Sequence, residues 1–191
     1  VTVNNGTITA GSNAGAIAGE NKGTITSVVV TTGDQSSLEV KTIESTKGTY
    51  SAGGVVGQNF ASSKIDDVTV SKNVKITSNV SAYLGGVAGY NEGYIGRVLI
   101  NVNKTGYGVI TSAKAFVGGI AGYSTGGIFS AYVKSATISA STSDSDSCAG
   151  GIAGAVHAAA KESVDVAVVE DVYISAYYAG GIAAKLNTTY T

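Results

Sequence analysis

Valine, isoleucine and leucine recur at alternate positions in short runs broken by glycine, serine and asparagine, a period of two that predicts strands with one buried face. One set of runs reads Val28-Val29-Val30, Val68-Thr69-Val70, Val98-Leu99-Ile100, Ala131-Tyr132-Val133 and Val166-Ala167-Val168, with the outer members expected inward. A second set holds one isoleucine between outward neighbours, in Lys75-Ile76-Thr77, Val109-Ile110-Thr111, Thr137-Ile138-Ser139 and Tyr173-Ile174-Ser175. The third element is stricter: Val117-Gly118-Gly119-Ile120-Ala121-Gly122-Tyr123, with copies starting at Gly15, Gly53, Gly85, Gly118, Gly150 and Gly180, 30 to 38 residues apart. Only 155–162 is rich in helix formers, and it predicts a corner insertion of one to two turns.

A repeat of this period implies stacked supersecondary units. Three strands per repeat give an all-β parallel β-helix, a solenoid of about six coils forming a single domain over 1–191. Val30 to Tyr50 reads as the longest loop insertion. Aligning the coils puts Asn21, Asn59, Asn91 and Ser124 in one column after the motif, where side-chain amides can bond to one another along the axis. Val156 and Leu186 end that column.

If strand alternation runs unbroken through the motif, Phe116, Gly118, Ile120 and Gly122 face the core while Gly119, Ala121 and Tyr123 face out. The column Asn13, Ser51, Tyr83, Phe116, Cys148, Tyr178 is then internal. The glycines Gly53, Gly57, Gly85, Gly89, Gly118, Gly122, Gly150 and Gly154 would make room for its rings, and Gly54, Gly86, Gly119 and Gly151 would form a smooth outer strip. An outward column on the second strand reads Val29, Thr69, Leu99, Tyr132, Ala167; exposed apolar residues in line suggest a contact surface. Tyr90 and Tyr123, stacked outward, add amphipathic rings suited to recognition, including of sugars.

Composition narrows the classes. With 27 glycines, no proline, 43% hydrophobic and only 13% charged residues, the chain is too apolar for a disordered stalk and too glycine-rich for a helical bundle. Twelve basic against thirteen acidic residues, without a block of like charge, lack the footprint of a nucleic-acid binder. No run is long enough to span a membrane as a helix. The single Cys148 has no intramolecular partner for a disulfide and reads as a small buried hydrophobe. The start without Met, partway through a repeat, suggests a piece of a longer chain, whose remainder would be a partner.

Gly85-Gly86-Val87-Ala88-Gly89-Tyr90-Asn91-Glu92-Gly93-Tyr94-Ile95 resembles the Glug motif of bacterial surface proteins, found in filamentous-haemagglutinin-like adhesins and in non-catalytic regions of immunoglobulin-A-protease-type surface proteins. The resemblance covers essentially the whole chain, although the fifth and sixth copies lack the asparagine and the corner glycine. It implies a right-handed parallel β-helix, an extracellular location on the bacterial cell surface, and a role in adhesion or spacing. It brings no catalytic residues with it.

Gly122-Tyr123-Ser124-Thr125-Gly126 matches a nucleophile-elbow pattern, with Asp144, Asp146 and His157 following, but the strand-to-helix context is missing. The carboxylates Asp66, Asp67, Asp165, Glu170 and Asp171 could serve a β-helical glycosidase or lyase. Asp66 and Asp165, however, fall three coils apart, roughly 14 Å at the strand spacing, beyond the ~5–9.5 Å of paired glycosidase carboxylates. Asp67 and Arg97 read as a surface ion pair. The run 143–147 lacks the glycine and distant glutamate of a calcium loop. Asn5, Asn79, Asn103 and Asn187 open glycosylation sequons that matter only in a eukaryotic secretory host. The expectation is therefore a structural and adhesive segment, not an enzyme, needing no cofactor or metal and meeting a host glycan or matrix protein. The alternatives are a scaffold within a large surface protease and a β-helical carbohydrate-active enzyme.

Overall fold

In the computed structural model, which describes residues 2–33, 36–44, 50–102, 109–157 and 164–186, the chain winds through six levels of four strands each. Every strand pairs in parallel with its equivalent one level away, giving four six-stranded sheets. Sheet A contains Thr2–Val3, Thr24–Val30, Lys64–Lys72, Tyr94–Val102, Ile128–Lys134 and Val164–Glu170. Sheet B contains Gly6–Ala10, Leu38–Thr42, Val74–Ser78, Val109–Ser112, Thr137–Ser139 and Tyr173–Ser175. Sheet C contains Asn13–Gly15, Ser51–Gly53, Ala82–Gly85, Ala115–Gly118, Cys148–Gly150 and Tyr178–Gly180. Sheet D contains Ala18–Asn21, Val56–Asn59, Ala88–Asn91, Ala121–Ser124, Ala153–Val156 and Ala183–Leu186.

The solenoid thus has four strands per level where three were expected, because the glycine motif is two strands joined by a bend at its second glycine and isoleucine. The bend is itself a ladder. At each of the five steps one carbonyl accepts two N–H groups from the level before: Ile120 O takes Val87 N at 2.9 Å and Ala88 N at 3.0 Å, and Ile152 O takes Ile120 N at 2.8 Å and Ala121 N at 3.1 Å. A second difference lies between Val30 and Tyr50, where the supposed insertion carries the regular strand Leu38–Thr42 of sheet B. Its alternation of Leu38, Val40 and Thr42 inward with Glu39 and Lys41 outward was masked by the polar residues around it. The helical turns anticipated over 155–162 fall largely outside the described residues; Ala155 and Val156 close a strand of sheet D.

The core is filled by stacked columns: Val30, Val70, Ile100 and Val133 from sheet A, Ile76, Ile110 and Ile138 from sheet B, Leu84 and Val117 from sheet C, and the bend residues Val55, Val87, Ile120 and Ile152. All are fully buried. Five of the six strands of sheet A are kinked at a left-handed residue, Ser27, Asp67, Arg97, Ser130 and Val166, with φ between 49° and 58°. The same residue is passed over in every pairing of these strands, which fixes the register of the last level. Tyr132 aligns with Val168, not Ala167, so the final run is Ala167-Val168-Val169. Among the described residues no helix is long and apolar enough to cross a membrane.

Candidate binding surface

Which way the motif glycines face decides the shape of the coil. Of the described glycines only Gly6 has a left-handed φ, so the motif uses glycine for space and not for backbone freedom. A Cβ on Gly119 would lie 2.9 Å from Val133 Cγ1 of sheet A, and one on Gly151 would lie 2.7 Å from Val169 Cγ2. Gly54 and Gly86 meet Val70 and Ile100 in the same way. This second-glycine column therefore points into the core, correcting the expected outer strip; Ala121 is fully buried too. A Cβ on Gly122 would instead sit 2.6 Å from Phe116 O and 2.7 Å from Tyr83 C, and one on Gly89 2.5 Å from Tyr83 O. Gly57 and Gly154 meet the backbone at Ala14 and Val117, while Gly53, Gly85, Gly118 and Gly150 meet the sheet D strand that follows.

Sheets C and D are thus two arms of a V whose apex presses into the core against sheet A. Their outer faces come together through glycine at the base and open toward solvent at the mouth. Strand alternation, continued unbroken across two glycines, had placed Tyr83 and Phe116 inside. The bend reverses that parity, and both rings stand in the mouth of the V, facing Tyr90 and Tyr123 on sheet D.

The register across the V aligns Asn13, Ser51, Tyr83, Phe116, Cys148 and Tyr178 on sheet C, the expected column, and Glu20, Gln58, Tyr90, Tyr123, Ala155 and Lys185 on sheet D. Centroid separations are 5.2 Å for Tyr83–Tyr123, 5.5 Å for Tyr90–Tyr123, 5.6 Å for Tyr83–Phe116 and 5.7 Å for Tyr83–Tyr90. These are tilted or edge-to-face pairs of the kind aromatic quadrupoles favour. Each of the four rings stays partly exposed. Burial pushes the Tyr90 phenol up, and the Glu92 carboxylate adds to the shift; burial and Tyr83 do the same for Tyr123, so both hydroxyls keep their protons as donors.

The two ends of this trough differ. Toward the N-terminal level it is polar: Asn13 Nδ2 donates to Glu20 Oε1 at 3.2 Å and to Gln58 Oε1 at 3.4 Å, and Gln58 Nε2 donates to Glu92 Oε2 at 3.1 Å. Toward the other end Cys148 and Ala155 are small, and Lys185 Nζ covers the gap, 4.6 Å from the Tyr178 ring and 5.6 Å from the Phe116 ring. Cys148 is buried in the floor of the V and not in the central core, and burial raises its thiol pKa. His157 Nδ1 lies 3.2 Å from the Tyr123 hydroxyl.

The asparagine column is internal, at the corner between sheets D and A. Asn21 Nδ2 donates to Asn59 Oδ1 at 2.8 Å, Asn59 Nδ2 to Asn91 Oδ1 at 2.8 Å, and Asn91 Nδ2 to Ser124 Oγ at 3.0 Å. Ser124 Oγ donates onward to Gly126 O at 2.9 Å. Its hydroxyl is therefore buried and occupied, and His157 faces Tyr123 instead, so the nucleophile-elbow constellation is not assembled.

Leu99 and Tyr132 lie elsewhere, on the outer face of sheet A in the column Val29, Thr69, Leu99, Tyr132, Val168. The structure does not bring them to Tyr90 and Tyr123. The Tyr132 hydroxyl donates to Glu170, and Lys134 Nζ stands 5.7 Å from its ring, so part of that surface is occupied by the chain's own side chains. On the same sheet Arg97 pairs with Asp66, not Asp67: Nε donates to Oδ1 at 2.8 Å and Nη2 to Oδ2 at 2.7 Å, with Lys64 Nζ also 2.9 Å from Oδ2. Asp67 accepts from Ser27 Oγ at 2.8 Å. The kink at Asp67 and Arg97 turns consecutive side chains apart, which two-residue alternation does not anticipate. The Arg97 guanidinium, opposed by burial and helped by Lys64, holds the Asp66 carboxyl well below the usual carboxylate range. Asp66 and Asp165 do share a column three levels apart.

In the serine-rich loop, Asp144 Oδ1 accepts from Asp146 N at 3.0 Å and Oδ2 pairs with Lys114 at 3.2 Å. Among the described residues no three His, Cys, Asp or Glu side chains are grouped to hold a metal. Beside the outer face of sheet B a depression of about 350 Å³ involves Glu39, Lys41, Lys75 and Thr77. Its charges are already satisfied, since Glu39 accepts from Thr77 Oγ1 at 3.1 Å and pairs with Lys41 at 3.5 Å.

The fold defines the class: an all-β parallel solenoid whose coils carry a re-entrant glycine corner. No protein-family model, no curated protein and no solved structure matches this chain.

Proposed function

We propose that this chain is a non-catalytic structural and adhesive segment of a bacterial cell-surface protein, acting outside the cell and meeting a host glycan or matrix protein through its sides. The observation that carries the reading is the row of Tyr83, Tyr90, Phe116 and Tyr123, turned away from the core into one trough on a stiff stack. Partly exposed aromatic rings held in place by sheet on both sides lose little freedom on binding, which favours recognition. The likeness of Gly85 to Ile95 to the Glug motif points the same way. The test is binding of the isolated chain to immobilised matrix proteins and glycans. Tyr90→Ala/Tyr123→Ala is expected to lose that binding with its circular dichroism unchanged, while Leu99→Ala/Tyr132→Ala retains it.

A second reading, a spacer or scaffold within a large surface protease, is favoured by the two hydrogen-bond ladders that tie the levels into one rod. A chain that is stable and monomeric yet binds none of these surfaces would select it.

A further inference from the structure

We infer that the row of partly exposed rings that fills the mouth of the trough between sheets C and D receives a linear, neutral glycan laid over it along the solenoid axis, with sugar faces against Tyr83, Tyr90, Phe116 and Tyr123. This rests on the adhesive reading above and names its ligand class.

The argument begins with spacing. Ring pairs stand on consecutive levels, one at Tyr83 and Tyr90 and the next at Phe116 and Tyr123. Levels repeat at ~4.8 Å, close to the advance of one pyranose unit in an extended chain, so each sugar can meet one level. A polyproline peptide, the other chain that aromatic grooves take, repeats its face every ~9 Å and would meet only alternate levels. Strand addition fails for another reason. The backbone groups of sheets C and D bond along the axis to neighbouring levels, leaving no free edge inside the trough.

Charge then narrows the glycan. The polar end presents the carboxamides of Asn13 and Gln58 with Glu92 and with Glu20, which pairs with Lys22 at 3.1 Å; these groups suit sugar hydroxyls, and Glu92 disfavours sulfate or uronate beside Tyr90. Between the ends the walls carry rings and no formal charge, which suits the C–H faces of a neutral sugar. Lys185, seated over Phe116 and Tyr178, closes the far end and limits the length of chain that fits.

The experiment is calorimetric titration of the 191-residue chain with cello-, chito-, laminari- and manno-oligosaccharides of increasing length, alongside heparin fragments and a polyproline peptide. Expected is binding to a neutral series that strengthens with length and then levels off. Tyr83→Ala and Tyr123→Ala should each weaken it about tenfold, and Leu99→Ala/Tyr132→Ala should not. Tyr83→Phe, which keeps the ring, should retain most of the affinity and guards against a folding artefact. No binding to any neutral series, or tighter binding of heparin or polyproline that the Tyr123→Ala change abolishes, overturns the inference. Matrix binding that persists in the first case leaves the adhesive reading standing; loss of both removes both.

Discussion

Gly151 and Gly181 hold the same place in successive copies of the motif, yet a Cβ would meet very different surroundings at the two. At Gly151 it would collide with Gly181 O and lie 2.7 Å from Val169 Cγ2, whereas at Gly181 nothing stands within 4 Å. Gly151→Ala should therefore destabilise the chain by about 2 kcal/mol or more through overpacking, and Gly181→Ala should stay within about 0.5 kcal/mol, both read from urea unfolding. Equal effects would show that the motif needs glycine for a reason other than space. Val166 carries a different tension. It is β-branched, 70% exposed, and sits at φ 50° in the kink column where other levels have Ser27, Asp67, Arg97 and Ser130. Val166→Asn should raise stability by about 1 kcal/mol by relieving that left-handed strain; a lower melting temperature would contradict it.

At the scale of the element, the amide ladder at the D–A corner is the feature most open to attack. Asn59 is fully buried, accepts from Asn21 and from Ser63 Oγ at 2.7 Å, and donates to Asn91. Asn59→Ala leaves buried groups on both neighbouring levels without their partner, and the expected loss is about 2–4 kcal/mol in chemical denaturation. Asn21→Ala, at the end of the row, should cost less than half as much. The ladder was legible in the sequence because repeats of nearly equal length align the same residue type level after level. The sheet A kink was not, since its column mixes Ser, Asp, Arg and Val, and what they share is a backbone angle set by packing.

For the whole molecule, stability is close to a sum over level-to-level interfaces, and among the described residues the sixth level has one neighbour where inner levels have two. Its side chains reflect this: Ile182 is 41% exposed and Leu186 71%, whereas their equivalents one level further in, Ile152 and Val156, are buried. Amide exchange followed by mass spectrometry should show least protection over 164–186 and most over 82–102 and 109–133, in graded steps from the end inward. Uniform protection along the chain would mean that the stack opens only as a unit.

Periodicity by itself determined the parallel solenoid, the register of the glycine, asparagine and ring columns, and the identity of most core residues. Those follow from residue type and spacing, because stacked coils place like on like. Tertiary structure alone decided where the rings point. Two adjacent glycines let the chain bend toward sheet A, which splits one strand into two, reverses the alternation beyond the bend and turns Tyr83 and Phe116 out to meet Tyr90 and Tyr123. A two-residue period carries no signal for such a reversal. Its cause is a close approach between backbones more than thirty residues apart in sequence, as between Gly122 and Tyr83, and that approach exists only once the levels have stacked.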